Sequence, residues 1–146
     1  SMKRIFGREI VYFNGIGVCN LDINGIIYKI VTTHKTRFNS SFNVTHGLHQ
    51  LARKEIPDAD IYISAHTHTP AFQVSSERGK EQCFAVLGTL KHQDSFAKRY
   101  FSYWASLSMP TFVLNTKSKQ WIVFKNLEES LAFVKRNTPE ELLNGI

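Results

Sequence analysis

Three histidines carry the chemistry this sequence can offer. His66 and His68 stand two residues apart in Ile61-Tyr62-Ile63-Ser64-Ala65-His66-Thr67-His68-Thr69-Pro70. His34 closes the earlier run Ile26-Ile27-Tyr28-Lys29-Ile30-Val31-Thr32-Thr33. Neutral imidazole is the commonest metal-binding side chain, so the chemistry in question is the capture of a divalent ion. In extended chain, residues i and i+2 point the same way, which predicts that His66 and His68 share one side of a strand-end loop. The plain alternative is a surface loop with two histidines and no metal.

Three elements must position these rings. Ile61 and Ile63 alternate with smaller or half-polar residues, the period of a strand, and Pro70 stops the run because it has no N–H to donate. The Ile26 run is β-branched and aromatic and reads as a second strand, with a histidine at its C-terminal end. Between them, Asn43 to Ile56 reads as a helix with Asn43 or Thr45 as its cap. Val44, Leu48, Leu51, Ala52 and Ile56 recur at helical spacing as its buried stripe. Pro57-Asp58-Ala59-Asp60 is the turn into the next strand. A strand–helix–strand crossover is right-handed and brings both strand ends to one sheet edge, where such sheets place their ligands. His34, His66 and His68 can then converge. Arg37 lies in the loop after His34, and His46 near the start of the helix, so both can reach the same place. His49 reads as a surface residue.

This ordered set resembles the C-terminal half of the calcineurin-like metallophosphoesterases. Their closing motifs are a lone His after one strand and Gly-His-x-His after the next, and here these stand as Thr33-His34-Lys35 and Ala65-His66-Thr67-His68. Asp58 to Ser64 and Thr69-Pro70 are similar as well, and a looser likeness runs from about Ile10 to Phe124. Ala65 replaces the family's glycine, and alanine does not enter positive φ easily. The opening motifs, Asp-x-His, Gly-Asp and Gly-Asn-His, are absent. Asp22, Asp58, Asp60 and Asp94 sit in none of them, so the bridging carboxylate is missing too.

The resemblance implies a mixed α/β fold, with β-sandwich-type sheets flanked by helices, as the C-terminal half of a four-layer architecture. It implies metal-dependent hydrolysis of phosphomono- or phosphodiesters, nucleic acid among them. Two divalent ions (Mn, Zn, Fe, Ni or Mg) occupy the complete family site. His34 and His66 would serve one metal and His68 the other, while His92 or Lys91 would touch substrate. Catalytic residues stay unassigned. With part of the cage missing, the chain is expected to bind metal weakly or not at all and to hydrolyse phosphodiesters poorly. The alternatives are a non-catalytic relative that binds metal, nucleic acid or protein, and an interaction module with incidental histidines.

The totals agree with a partial or single domain. The chain has 146 residues, read as one domain over 2–146, with Ser1-Met2 as the scar of a cleaved tag. Net charge is +6, which favours polyanionic partners, although the basic residues are scattered. No apolar run approaches the ~20 residues of a bilayer span. Cys19 and Cys83 read as reduced core thiols on two strands, so the expected location is cytoplasmic, with no membrane partner. Expected partners are the phosphoester substrate, a separate N-terminal half polypeptide and a second copy of the chain.

The remaining elements follow from alternation and turn residues. A meander runs from Glu9 through a Gly15-Ile16-Gly17 turn and an Asn24-Gly25 turn to Thr33. Hairpins pair Ala71–Ser75 with Gln82–Leu87 and Pro110–Asn115 with Gln120–Lys125. Ser95 to Leu107 reads as an aromatic-striped helix. Asn126 caps a further helix, and Thr138-Pro139-Glu140-Glu141 opens the last.

Overall fold

Alternating β-branched residues and positive-φ turns account for most of this chain's regular structure. A computed structural model describes residues 2–5, 8–13, 15–38, 40, 42–67, 69–77, 79–88 and 109–139, with the backbone alone for 2–13 and 77. The chain is mixed α/β. Strands β1 (Met2–Ile5), β2 (Arg8–Phe13), β3 (Ile16–Ile23) and β4 (Ile26–Thr33) form an antiparallel meander. Helix α1 (His46–Lys54) crosses to β5 (Ile61–Ser64), and β6 (Ala71–Glu77) and β7 (Lys80–Val86) complete a seven-stranded sheet. Its order is β1-β2-β3-β4-β5-β7-β6, with β4, β5 and β7 parallel. The sequence assigns no strand to β1. Its first turn is also narrower than predicted, because Gly15 takes φ 79° while Gly17 lies within β3.

The Asn24-Gly25 hairpin forms as its residues dictate. Asn24 and Gly25 take φ 54° and 82°, and Asp22 Oδ1 accepts the Gly25 N–H at 2.8 Å. Both central residues of a tight hairpin turn need positive φ, which glycine and asparagine reach most cheaply.

Two faces of the sheet are covered differently. Val31, Tyr62 and Phe84 are cross-strand neighbours on β4, β5 and β7, and they pack on Leu48, Leu51 and Ala52 of α1. The Tyr62 and Phe84 rings stack at 5.1 Å and 9°. Full burial of a Val, Leu or Phe side chain contributes about 1.5–3 kcal/mol, so this layer anchors the crossover. The Tyr62 hydroxyl donates to Ile56 O at 2.7 Å and accepts the Ala59 N–H at 3.1 Å, which ties the connecting turn to the strand. Burial pushes the Tyr62 phenol above its ordinary range.

The helix begins three residues later than the periodicity suggests. Asn43 Oδ1 accepts the Thr45 N–H and hydroxyl, at 3.0 and 2.8 Å, and so closes a turn of its own. Thr45 becomes the N-cap without a side-chain cap bond. A short polar side chain that bonds its own backbone competes with the helix for that turn.

Tyr28 is three residues from Val31 on β4 and so points to the opposite face. There its hydroxyl lies 2.8, 2.9 and 2.7 Å from the carbonyl oxygens of Asn115, Ser118 and Gln120. These belong to the hairpin of β8 (Thr111–Leu114) and β9 (Trp121–Phe124). Helix α2 (Leu127–Asn137) follows, and Asn126 caps it by accepting the Glu129 N–H at 2.9 Å. Phe133 packs on Phe124 at 5.3 Å, which fixes α2 on the hairpin. The helix predicted over Ser95 to Leu107 falls outside the described residues, and of the one predicted from Thr138 onward only Thr138 and Pro139 are described, with Thr138 serving as the C-cap of α2. No helix among the described residues is long and apolar enough to cross a membrane.

Candidate functional site

Parallel pairing sets the site. Thr33 of β4 is in register with Ser64 of β5, so His34 and Ala65 leave the sheet side by side. Beyond Ala65 the chain turns sharply. The Thr67 N–H donates to Ala65 O at 3.1 Å, and His66 between them takes φ 79°. An i to i+2 hydrogen bond around a positive φ is the rarer, strained form of γ-turn. It costs on the order of 1–3 kcal/mol, and such costs cluster at ligand sites.

The turn aims one ring at another. His66 Nδ1 lies 3.2 Å from His34 Nε2, with ring centroids 5.0 Å apart and planes at 77°. Both side chains are exposed. Two nitrogens each at 2.0–2.1 Å from one ion, with 90–110° between them, stand about 2.9–3.4 Å apart. The observed spacing therefore fits one edge of a metal's coordination shell. It fits equally a neutral N–H donating to the facing lone pair. Beside the pair, the Thr67 hydroxyl is buried without a hydrogen-bond partner among the described residues.

The loop differs from expectation at one position. The positive φ sits on His66 and not at Ala65, so the missing glycine costs the loop nothing at that position. The γ-turn at His66 also departs from the extended geometry on which a shared side for His66 and His68 rests. His68 and His92 themselves lie outside the described residues, as does Lys91. No group of three or more His, Cys, Asp or Glu side chains that could hold a metal occurs among the described residues.

The other candidates occupy different ground. His46 is the first residue of α1 and half-buried. Arg37 is exposed and lines a hollow of about 50 Å³ with Thr33, Leu51 and Glu55. His49 is no surface residue: it is buried, stacked 3.8 Å from Phe84, with Nε2 3.2 Å from Gln73 Oε1.

The loop after His34 is held by contact. A Cβ on Gly47 would stand 2.6 Å from Thr36 Cβ and closer still to Thr36 Oγ1 and Phe38 O. Glycine lets that loop lie directly on the first turn of α1. Phe38 in turn carries the Lys54 ammonium 4.8 Å above its ring.

Sequence reasoning passed over Asp60. Its carboxylate is buried at the start of β5, the end of the strand away from His66. Oδ2 accepts the Lys29 N–H at 2.7 Å, and Oδ1 pairs with Lys80 and Lys119 at 3.0 and 3.3 Å. Cys83, on β7 and also buried, has its thiol pushed up to about 12 by desolvation and secondarily by the Glu81 charge.

No family model matches the sequence, and no curated protein or solved structure matches it. What stands on the chain's own geometry is a mixed α/β protein whose parallel strand tips bring two imidazoles into contact.

Proposed function

We propose that this chain is the C-terminal part of a metal-dependent phosphoesterase that hydrolyses phosphomono- or phosphodiesters. The reading is carried by the 3.2 Å approach of His34 Nε2 and His66 Nδ1 at the tips of adjacent parallel strands. It is supported further by the Gly-His-x-His-like motif in which His66 stands. In this reading His34 and His66 hold one divalent ion, and His68 contributes to a second. A bound ion would polarise the phosphoryl oxygen and supply hydroxide near neutral pH. The His66 turn orients its ring before the ion arrives, so less ordering is left to accompany binding.

The chain offers no bridging carboxylate in a matching motif. The site is therefore completed by an N-terminal half, which makes the fold half of a four-layer sandwich. Arg37, His46 and His92 are the proposed substrate contacts. The net charge of +6 favours a polyanionic phosphoester, nucleic acid included. Sheet edges β1 and β6 are where a partner half or a second copy would add strands.

Calorimetric titration with manganese and zinc, followed by an assay with bis(4-nitrophenyl) phosphate, tests this. Weak single-site binding, lost in His34→Ala, with slow turnover is the expected outcome. Metal binding that is unchanged in His34→Ala, or rapid turnover by this chain alone, would reject the proposal.

A further inference from the structure

A cavity of about 880 Å³ opens between the β8–β9 hairpin and the start of β5, with the length of β5 between it and His66. Small-ligand sites have this size and combine an apolar wall with a few polar groups. The apolar wall here is Val113, Trp121 and Ile122 from the hairpin and Phe133 from α2.

The polar wall is rich in donors because its acceptors are already engaged. Both Asp60 oxygens are taken, one by the Lys29 N–H and the other by the Lys80 and Lys119 ammoniums. Asn115 Oδ1 accepts the Lys117 and Ser118 N–H groups, and Gln120 Oε1 accepts the Ser118 hydroxyl. Among the described residues the amide NH₂ groups of Asn115 and Gln120 meet no acceptor and remain to donate. So do the unused N–H bonds of Lys119, whose side chain is 50% exposed. Among the described residues of the wall Glu81 is the remaining acid, and it is exposed, where water and salt screen its charge. A ligand that satisfies these groups brings acceptors and negative charge to Lys119 and a flat apolar surface to Trp121.

We infer that this cavity binds a small organic anion built on an aromatic ring, such as an aryl sulfonate, carboxylate or phosphate. The site is independent of the histidine pair.

The test uses the full chain with Trp104→Phe, which leaves Trp121 as the sole tryptophan. Naphthalene-2-sulfonate, which no phosphoesterase cleaves, is the probe. A saturable change in Trp121 emission is expected, with a dissociation constant about tenfold higher in Lys119→Gln and unchanged in His34→Ala. Calorimetry on the unsubstituted chain answers the same question if Trp104→Phe disturbs folding. No saturable response at millimolar probe, equal affinity in Lys119→Gln, or equal binding of uncharged 2-naphthalenemethanol would each overturn the assignment.

Discussion

His34 Nε2 and His66 Nδ1 lie 3.2 Å apart although 32 residues separate them in the chain. If they form one edge of a coordination shell, His34→Ala and His66→Ala should each weaken zinc or manganese binding at least about tenfold. Affinity should also fall as the solution is acidified, because each imidazole must shed its proton to coordinate. Calorimetry of the three chains at two pH values checks both points, and unchanged affinity in the variants would detach the pair from metal.

The γ-turn at His66 separates ligand loss from backbone strain. Glycine accepts φ 79° without penalty, whereas a β-branched residue resists it strongly. His66→Gly should keep thermal stability within about 0.5 kcal/mol of the parent, while His66→Val should lose roughly 1–3 kcal/mol. Both should lose metal. Equal stability of the two variants would mean the turn relaxes in solution.

Gly47→Ala tests how firmly the His34 loop is seated. Alanine normally stabilises a helix by about 1 kcal/mol over glycine. Here its methyl meets the Thr36 side chain, whose Cβ is fixed to the backbone, and the Phe38 backbone carbonyl, neither of which a side-chain rotation clears. Net destabilisation of roughly 1–3 kcal/mol is expected, with weaker metal binding as the loop shifts. A chain stabilised by the substitution would show the contact to be soft.

Tyr28→Phe should loosen the β8–β9 hairpin. The ring is fully buried, and its hydroxyl is the group that faces the three loop carbonyls. Removing a buried donor costs about 1–3 kcal/mol. A lower urea midpoint, with Trp121 emission changing ahead of the α1 helical signal, is the expected pattern.

Cys83 gives the alkaline limb of stability a definite direction. Its thiol moves from 9.0 to about 12 because burial penalises the thiolate. The protonated form is thus favoured in the folded chain, and its contribution is complete below pH 9.0. Above that, unfolding releases the proton, and stability declines by up to about 1.4 kcal/mol per pH unit until the folded value near 12 is reached. Tyr62, also raised by burial, adds to the same limb. Cys83→Ala should flatten the decline between pH 9 and 10.5, as read by urea midpoints. An unaltered slope would assign it elsewhere.

Local signals made much of the architecture legible. Alternation and β-branched or aromatic runs marked β2 to β9, Asn24-Gly25 marked a hairpin, Asn126 marked the start of α2, and the strand–helix–strand order placed His34 and His66 at one sheet edge. These depend on residues close in sequence, where side-chain period and turn chemistry act directly. What the chain could not announce depends on residues that meet only after folding. His49 became a core residue because Phe84, brought in by β7, lies against it. Asp60 became a buried hub because Lys29, Lys80 and Lys119 arrive from three separate elements. The composition and order of residues thus determined a βαβ unit with imidazoles at its tips. Tertiary structure alone decided that the His66 backbone would turn back on itself and set its ring against that of His34, since cross-strand packing holds a strained turn that no isolated segment would keep.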